Sequence, residues 1–88
     1  MKWQVVLSLE AKKQLRKMGQ SAKAQIARYL KTRIETAEDP SRFGKPLIGD
    51  LSGLWRYRVG DYRLLCKIQN HELTVLVVKV GHRRDVYE

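Results

Sequence analysis

The spacing of apolar residues changes midway along the chain, from a helical period to an alternating one. Residues 3–7 form an apolar run that predicts a short strand. Ser8 can cap the helix that follows, and Gly19 can end it. The buried face of that helix is predicted to hold Ala11, Leu15 and Met18.

A second run with helical spacing predicts a second helix directly after the first. Ser21 is its predicted N-cap, and the Asp39-Pro40 pair ends it because the residue before proline avoids the helical region. The apolar positions at helical spacing are Ile26, Tyr29, Leu30, Ile34 and Ala37. The first half of the chain is therefore predicted to be a helical hairpin.

The second half favours strands. Residues 44–53 lack periodicity and predict a loop, and the runs 54–59, 62–69 and 72–80 are rich in β-branched and aromatic residues. The gaps between these runs are Gly60-Asp61 and Asn70-His71, two residues each. Two-residue hairpins would pair Val59 with Tyr62 and Gln69 with Glu72. The prediction is a three-stranded meander.

This register divides the meander into two unlike faces. The core face is predicted to hold Trp55, Tyr57, Val59, Tyr62, Leu64, Cys66, Ile68, Leu73, Val75 and Val77. The opposite face is predicted to hold Arg56, Arg58, Arg63 and Lys67 beside Leu65, Thr74, Leu76 and Val78. The helices are the only cover for the apolar face, so residues 1–88 are expected to form one α+β domain of β-α-α-β-β-β order. The helical hairpin packs on one face of a small, mostly antiparallel sheet.

Charge narrows the class of partner. Eighteen Lys and Arg against nine Asp and Glu give a formal net charge of +9, which favours a polyanion and, first of all, nucleic acid. No apolar run is long enough to span a bilayer, so we expect no membrane association. Cys66 is the only cysteine and has no His or Cys at ligand spacing. We expect no metal, no cofactor and a reducing, cytoplasmic location.

The arginines indicate where a polyanion would bind. The register sets Arg58 directly across from Arg63, and like charges so placed are destabilising unless an anion lies between them. Any one of these arginines could simply extend into solvent, but three of them on one face within eight residues fit phosphate contacts better.

The end of the last strand adds groups that could take part in RNA cleavage. His82, Arg83, Arg84 and Tyr87 follow Gly81, near the Arg58–Arg63 end of the sheet. Arginines could stabilise a phosphorane, a histidine could move a proton, and the RNA 2′-OH would supply the nucleophile. His82 and Tyr87 could equally be a terminal polar residue and a packing aromatic.

Two segments of the chain resemble the RelE family of toxin–antitoxin modules, within the RelE/ParE superfamily. They are Leu54-Trp55-Arg56-Tyr57-Arg58-Val59-Gly60-Asp61-Tyr62-Arg63 and Val80-Gly81-His82-Arg83-Arg84-Asp85-Val86-Tyr87, in a β-α-α-β-β-β order. The resemblance implies a metal-independent endoribonuclease that cuts messenger RNA in the ribosomal A site. It also implies a RelB-like antitoxin that masks the basic face, with operator DNA bound only through the antitoxin complex.

By position, the resemblance places the site on five residues: Arg56 and Arg58 match family lysines, Arg63 and Arg83 match family arginines, and Tyr87 matches the C-terminal tyrosine. Arginine is a poor general base because its guanidinium stays protonated. His82, or a ribosomal group, is then expected to carry the proton. Contacts to RNA outside the chemistry are expected from Lys12, Lys13, Arg16, Lys17, Lys67 and Arg84, or the helix cations simply form a solvated face.

Two other functions stay open at this point. A ParE-like protein would keep the fold but inhibit DNA gyrase without catalysis. An inactive nucleic-acid-binding module would use its arginines only to position a phosphate backbone. Ribosome-dependent cleavage separates the enzyme from both.

Overall fold

A computed structural model describes residues 2–84 of the chain. The helices and strands follow in the order β1 (Gln4–Leu7), α1 (Leu9–Lys17), α2 (Gln20–Tyr29), β2 (Lys45–Pro46), β3 (Trp55–Val59), β4 (Tyr62–Gln69) and β5 (Thr74–His82). A π-helical turn, Leu30–Ile34, continues α2. Three short 3-10 turns lie at Pro40–Phe43, Gly49–Leu51 and Asn70–Glu72.

The strands form one five-stranded sheet in the order β1-β5-β4-β3-β2. β1 runs parallel to β5, and the other three pairings are antiparallel. The α+β class, the β-α-α-β-β-β order and the mostly antiparallel sheet are therefore confirmed. The two-residue β2 comes from the segment for which the sequence predicted only a loop. None of the helices formed by residues 2–84 has the length and apolar character needed to cross a bilayer.

Helix α1 begins as predicted. Ser8 has the extended backbone of an N-cap, and its Oγ accepts a hydrogen bond from the Ala11 amide at 3.0 Å. The same hydroxyl donates to the Val78 carbonyl at 2.8 Å. Ser8 therefore joins the start of α1 to β5 as well as ending β1.

Helix α2 differs from the prediction at both ends. Its N-cap is Gly19, whose φ of 89° lets the chain reverse after α1, so Ser21 lies inside the helix and the predicted cap is wrong. At the other end the Glu35 amide donates to the Leu30 carbonyl at 2.9 Å, closing the π turn. Ala37 lies beyond that turn and is exposed, so its predicted place on the buried face is also wrong.

The first hairpin has the predicted register, with Val59 opposite Tyr62, but the second does not. Gln69 pairs with Thr74, because a 3-10 turn and Leu73, at φ 47°, lengthen the connection from two residues to four. The register error is therefore two residues. Because side chains alternate with a period of two, the faces of the strands are unchanged.

All ten residues predicted for the core face pack in or against the core. One more residue joins them because β5 contains a β-bulge: Leu65 pairs with Lys79 and Cys66 with Val77, which leaves Val78 as the extra residue. Beyond the bulge the faces of β5 exchange. Val80 is thereby buried, at 1% exposure.

The opposite face of the sheet is not the open cationic surface that the sequence predicted. The connection after β2 folds onto it and packs Leu47 on Leu65, with Leu51 and Leu54 at the edge. Arg56 and Arg63 are buried, with 7% and 6% of their surface exposed. Only parts of these two side chains can reach a ligand.

Candidate functional site

The backbones of three arginines lie at one corner of the sheet, and we call Arg58, Arg63 and Arg83 the arginine corner. Arg58 lies directly across from Arg63 on β3 and β4, and Arg63 lies across from Gly81 on β5. Two residues later, the Arg83 amide donates to the Asp61 carbonyl at 2.8 Å. The last residues of β5 are thereby tied to the turn that joins β3 to β4.

Arg63 is fixed in place by its own hairpin. Its Nη1 donates to the Gly60 carbonyl at 3.0 Å and to the Tyr62 carbonyl at 2.9 Å. Gly60 has a φ of 59°, which a glycine adopts without strain. A buried guanidinium held by two carbonyls is preorganised, so little side-chain entropy is lost when an anion approaches it.

Arg58 differs from its neighbours because it is exposed. It lies directly across from Arg63, and Cβ atoms of such cross-strand partners are about 5 Å apart, so the two like charges repel. Arg83 is exposed as well, and its amide is bonded to the turn that joins the strands of this pair. The corner thus combines one fixed, buried cation with two accessible ones, an arrangement suited to a phosphate group.

Arg56 faces a different neighbourhood from the corner. Its Cα lies opposite that of Lys45 on β2. A cleft of about 240 Å³ is lined by Phe43, Gly44, Lys45, Arg56 and Arg58. Arg58 therefore belongs to the arginine corner and also lines this cleft. Sequence reasoning missed Lys45 and Phe43, because no periodicity marks the segment that carries them.

His82 does not join the arginines as predicted. It pairs with Tyr62, so it points to the helix-covered side of the sheet, whereas the paired Arg58 and Arg63 lie on the other side. Its ring meets the edge of the Tyr62 ring, with centroids 6.0 Å apart and planes at 84°. Both rings line a groove of about 360 Å³ against α1, together with Gln14 and Lys17.

The predicted RNA-contacting cations are exposed, and most of them lie away from the corner. Three of them, Lys12, Lys13 and Arg16, line a groove of about 410 Å³ on α1, and Lys17 lines the His82 groove. Lys67 lies across from Leu76, in the half of β4 remote from Arg63. Arg84 follows Arg83, and its amide donates to His82 Nδ1 at 3.3 Å.

Tyr87, the last of the predicted site residues, lies outside the described residues. Between residues 2 and 84 no group of three His, Cys, Asp or Glu side chains is placed to hold a metal ion. The sequence also gave no signal for Gln14, whose Oε1 accepts a hydrogen bond from the Val80 amide at 2.5 Å. That bond satisfies a backbone group next to the bulge, just before the residues that lead to the corner.

Known proteins resemble this chain in both sequence and fold. Residues 5–87 match the family model described as the ParE toxin of the type II toxin–antitoxin system parDE. The toxin–antitoxin complex RelBE2 from Mycobacterium tuberculosis contains a chain that is 30% identical to this one. The match covers 97% of this chain and 95% of that one, with a TM-score of 0.86.

The chain belongs to the RelE/ParE family of toxins. Toxin RelG from Mycobacterium tuberculosis is 42% identical to this RelE/ParE toxin over 53 residues, which are 60% of this chain and 61% of RelG. The match to Toxin RelE of the same organism is 39% over 49 residues, 56% of this chain and 50% of that relative. The chain thus matches between half and two thirds of the length of these two curated relatives.

More distant structures share the fold. The isolated RelE toxin of E. coli is 21% identical, with a TM-score of 0.69 over 91% of this chain and 83% of that one. The RelE–RelB complex of Pyrococcus horikoshii is 19% identical, with a TM-score of 0.70 over 98% of this chain and all of that one. At these identities the likeness concerns the fold alone.

Proposed function

We propose that this RelE/ParE toxin is a ribosome-dependent endoribonuclease that cuts messenger RNA in the A site. The observation that carries the proposal is the arginine corner. Family membership supports it, since two of the relatives in the comparison are toxins named RelG and RelE. Ribosomes and translated messages are cytoplasmic, so we place the activity in the cytoplasm.

In this proposal the scissile phosphate lies at the arginine corner. The 2′-OH loses its proton and attacks phosphorus, and the bond from phosphorus to the 5′-oxygen breaks. The products are a 2′,3′-cyclic phosphate and a 5′-OH, whose oxygen gains a proton. Arg58 and Arg63 hold the nonbridging oxygens, and Arg83 stabilises the charge on the phosphorane or on the leaving oxygen. No metal or cofactor takes part in these steps.

The proton transfer needs a group other than an arginine. His82 was the first candidate from the sequence, but it points to the opposite side of the sheet from Arg58 and Arg63. We therefore assign the removal of the 2′-OH proton to a ribosomal group. Tyr87 keeps its proposed role of stacking on or orienting a base of the codon. Arg56 contacts the message from the cleft that it lines together with Arg58.

The test is primer extension on a message translated with purified ribosomes, comparing the wild type with Arg83→Ala. Removal of one donor to a developing charge typically costs about a hundredfold to a thousandfold in rate. We expect codon-phased cuts with the wild type and none with the variant, at unchanged thermal stability, because Arg83 is exposed. Full activity of Arg83→Ala would remove Arg83 from the mechanism. Equal cutting without ribosomes would refute ribosome dependence.

A second candidate function is supported by the family model itself, which describes a ParE toxin. A ParE-like toxin would inhibit DNA gyrase without cleaving RNA. The arginine corner argues against it, because a protein inhibitor has no need of a phosphate site. Inhibition of gyrase supercoiling, together with absence of ribosome-dependent cleavage, would establish this alternative. Absence of both activities would leave the non-catalytic nucleic-acid-binding module.

We also propose that a RelB-like antitoxin neutralises the toxin by covering the basic face of the sheet, which carries the arginine corner. Solved relatives from Mycobacterium tuberculosis and Pyrococcus horikoshii are toxin–antitoxin complexes, which supports such a partner. Operator DNA would then be bound through the antitoxin. Co-expression with the antitoxin should give a stable complex that does not cleave translated messages.

A further inference from the structure

The cleft between β2 and β3 carries an inference of its own. Of the five residues that line it, Lys45, Arg56 and Arg58 are cationic and none is acidic. We name it the Lys45 cleft. Lys45 lies on β2, two strands from β4 and in register with Leu65, two residues along β4 from Arg63. Its Cα is therefore about 12 Å from that of Arg63 at the usual strand spacing and rise. The Lys45 cleft and the arginine corner therefore follow one another along a single face, with Arg58 between them.

Gly44, one of the residues that line the Lys45 cleft, packs closely on the core. A Cβ placed on Gly44 would lie 3.0 Å from Cζ of Tyr57, a fully buried ring. The Tyr57 hydroxyl donates to the Pro40 carbonyl at 2.9 Å, which fixes the turn before β2. Glycine thus lets the segment that carries Lys45 lie directly on the ring.

Phe43, which lines the cleft, contacts two further guanidiniums. The guanidinium carbon of Arg42 lies 4.4 Å from the centroid of the Phe43 ring, and that of Arg33 lies 5.5 Å from it. Both distances are within the range of a cation–π contact. Phe43 therefore holds both guanidiniums against its ring, and neither of them lines the cleft.

The carboxylates of this region are engaged in local contacts. Glu38 forms an ion pair with Arg42. Asp39 accepts hydrogen bonds from the amide and hydroxyl of Ser41, at 2.9 and 2.8 Å, and the backbone bond contributes most to lowering the pKa of its carboxyl group. Among residues 2–84 no carboxylate lines the cleft, which favours a negatively charged ligand.

We propose that the Lys45 cleft is a subsite for the phosphate of a nucleotide next to the scissile link, an inference that rests on the proposed RNA-cleaving function. Lys45 supplies a mobile ammonium, and Arg58 connects the subsite to the arginine corner. A phosphate suits this site better than a base edge, because all three polar side chains are cationic donors. The subsite positions the message and takes no part in bond breaking.

The test is a titration of ¹⁵N-labelled toxin with a 2′-O-methylated trinucleotide, which has two internucleotide phosphates and cannot be cleaved by its own 2′ oxygen. We expect the amides of Gly44 and Lys45 to shift together with those around Arg58 and Arg63. Lys45→Gln should weaken binding several-fold. It should also lower the slope of log affinity against log salt by about 0.7, the value for one phosphate contact to a single strand.

Two variants serve as controls. Lys31→Gln makes the same chemical change on an exposed residue that does not line the cleft, and it should bind like the wild type. Lys45→Arg restores the cation and should restore most of the affinity. Thermal melting of each variant verifies the fold, which an exposed Lys45 should not affect.

The possible failures are distinguishable. Shifts at Arg58 and Arg63 without any at Gly44 and Lys45 would overturn the subsite and leave the proposed cleavage intact. An equal response to tetraglutamate would show a general anion site, and the inference would again be wrong. If no amide shifts, the subsite is refuted, and the cleavage assay on translated message decides the proposed function separately.

Discussion

Replacement of Gln14 tests how the fold holds the β-bulge beside the candidate site. The Val80 amide follows the bulge, and Gln14 Oε1 accepts its hydrogen bond from α1 at 2.5 Å. Val80 is 1% exposed. Gln14→Leu removes the acceptor and fills the space with an apolar group. The amide then loses its partner without gaining water, at a cost of about 1–3 kcal/mol.

The groove beside Gln14 makes a second variant informative. Gln14 and Val80 both line the groove that reaches His82. Gln14→Ala leaves room for a water molecule to bond to the Val80 amide, so its cost should fall near 1 kcal/mol or below. The bond from Gln14 Nε2 to Glu10 is exposed and contributes little to either value.

Urea unfolding gives the free-energy difference directly. With a slope of about 2 kcal/mol per M, a loss of 2 kcal/mol moves the midpoint by about 1 M. Lys13→Leu, on an exposed position of the same helix, controls for the added apolar group. Hydrogen exchange of the Val80 amide should accelerate in the leucine variant. Wild-type stability of Gln14→Leu with unchanged exchange at Val80 would refute this account of the bulge.

Three further predictions concern the site and its support. Gly44→Ala should lower the free energy of unfolding by about 1–3 kcal/mol in a urea titration, because the buried Tyr57 ring cannot move away from the new methyl group; an unchanged midpoint would contradict the close packing. Burial raises the pKa of the Tyr57 hydroxyl above its ordinary value of 10.0, so the contribution of Tyr57 to the unfolding free energy should be constant below pH 10 and fall above it, by up to about 1.4 kcal/mol per pH unit. Tyr57→Phe should reduce that alkaline slope while costing about 1 kcal/mol at pH 7 through its lost hydrogen bond; an unaltered slope would assign the loss to other groups. Arg63→Gln should cost about 1–3 kcal/mol in stability as well as cleavage, since Arg63 is buried and bonded to two carbonyls. Arg58→Gln, at an exposed position, should lose cleavage with stability within about 0.5 kcal/mol of wild type; equal stability losses in the two variants would show that burial does not separate their roles.

The alternation of apolar residues was enough to predict the core face of the sheet. The predicted core face is correct although the second turn was predicted wrongly, because an error of two residues leaves every side chain on the same face. Leu73 takes a left-handed backbone at that turn, which leucine rarely adopts, and no local residue preference predicts it. Its side chain packs against the core. Tertiary packing, therefore, set the length of this turn.

Local sequence patterns could not predict the bulge in β5, or the loop after β2 that covers the face of the sheet opposite the helices. Both depend on contacts between segments distant in sequence, from Gln14 to Val80 and from Leu47 to Leu65. The bulge shifts the alternation, so His82 reaches the helix side together with Val80. The pairing of β3 with β4 has no bulge, so the faces of its arginines were predicted correctly, whereas His82 follows the bulge and its face was not.

Helix ends were predicted well where a side chain makes the cap and poorly where the backbone does. Ser8 bonds to the Ala11 amide as expected, whereas α2 starts at Gly19 with no side-chain cap. Glycine served to stop the first helix in the sequence analysis, and in the structure it also starts the second. A reversal this tight leaves no residue for a separate cap at Ser21.

The central claim is that the arginine corner binds a ribose-phosphate link whose own 2′-OH is the nucleophile. The most direct measurement uses ribosomes programmed with a message that carries a single 2′-deoxynucleotide on the 5′ side of the cleaved link. We predict that this message stays intact, while the all-ribose message is cut to a 2′,3′-cyclic phosphate and a 5′-OH. Equal cutting of the two messages at that link would contradict the account.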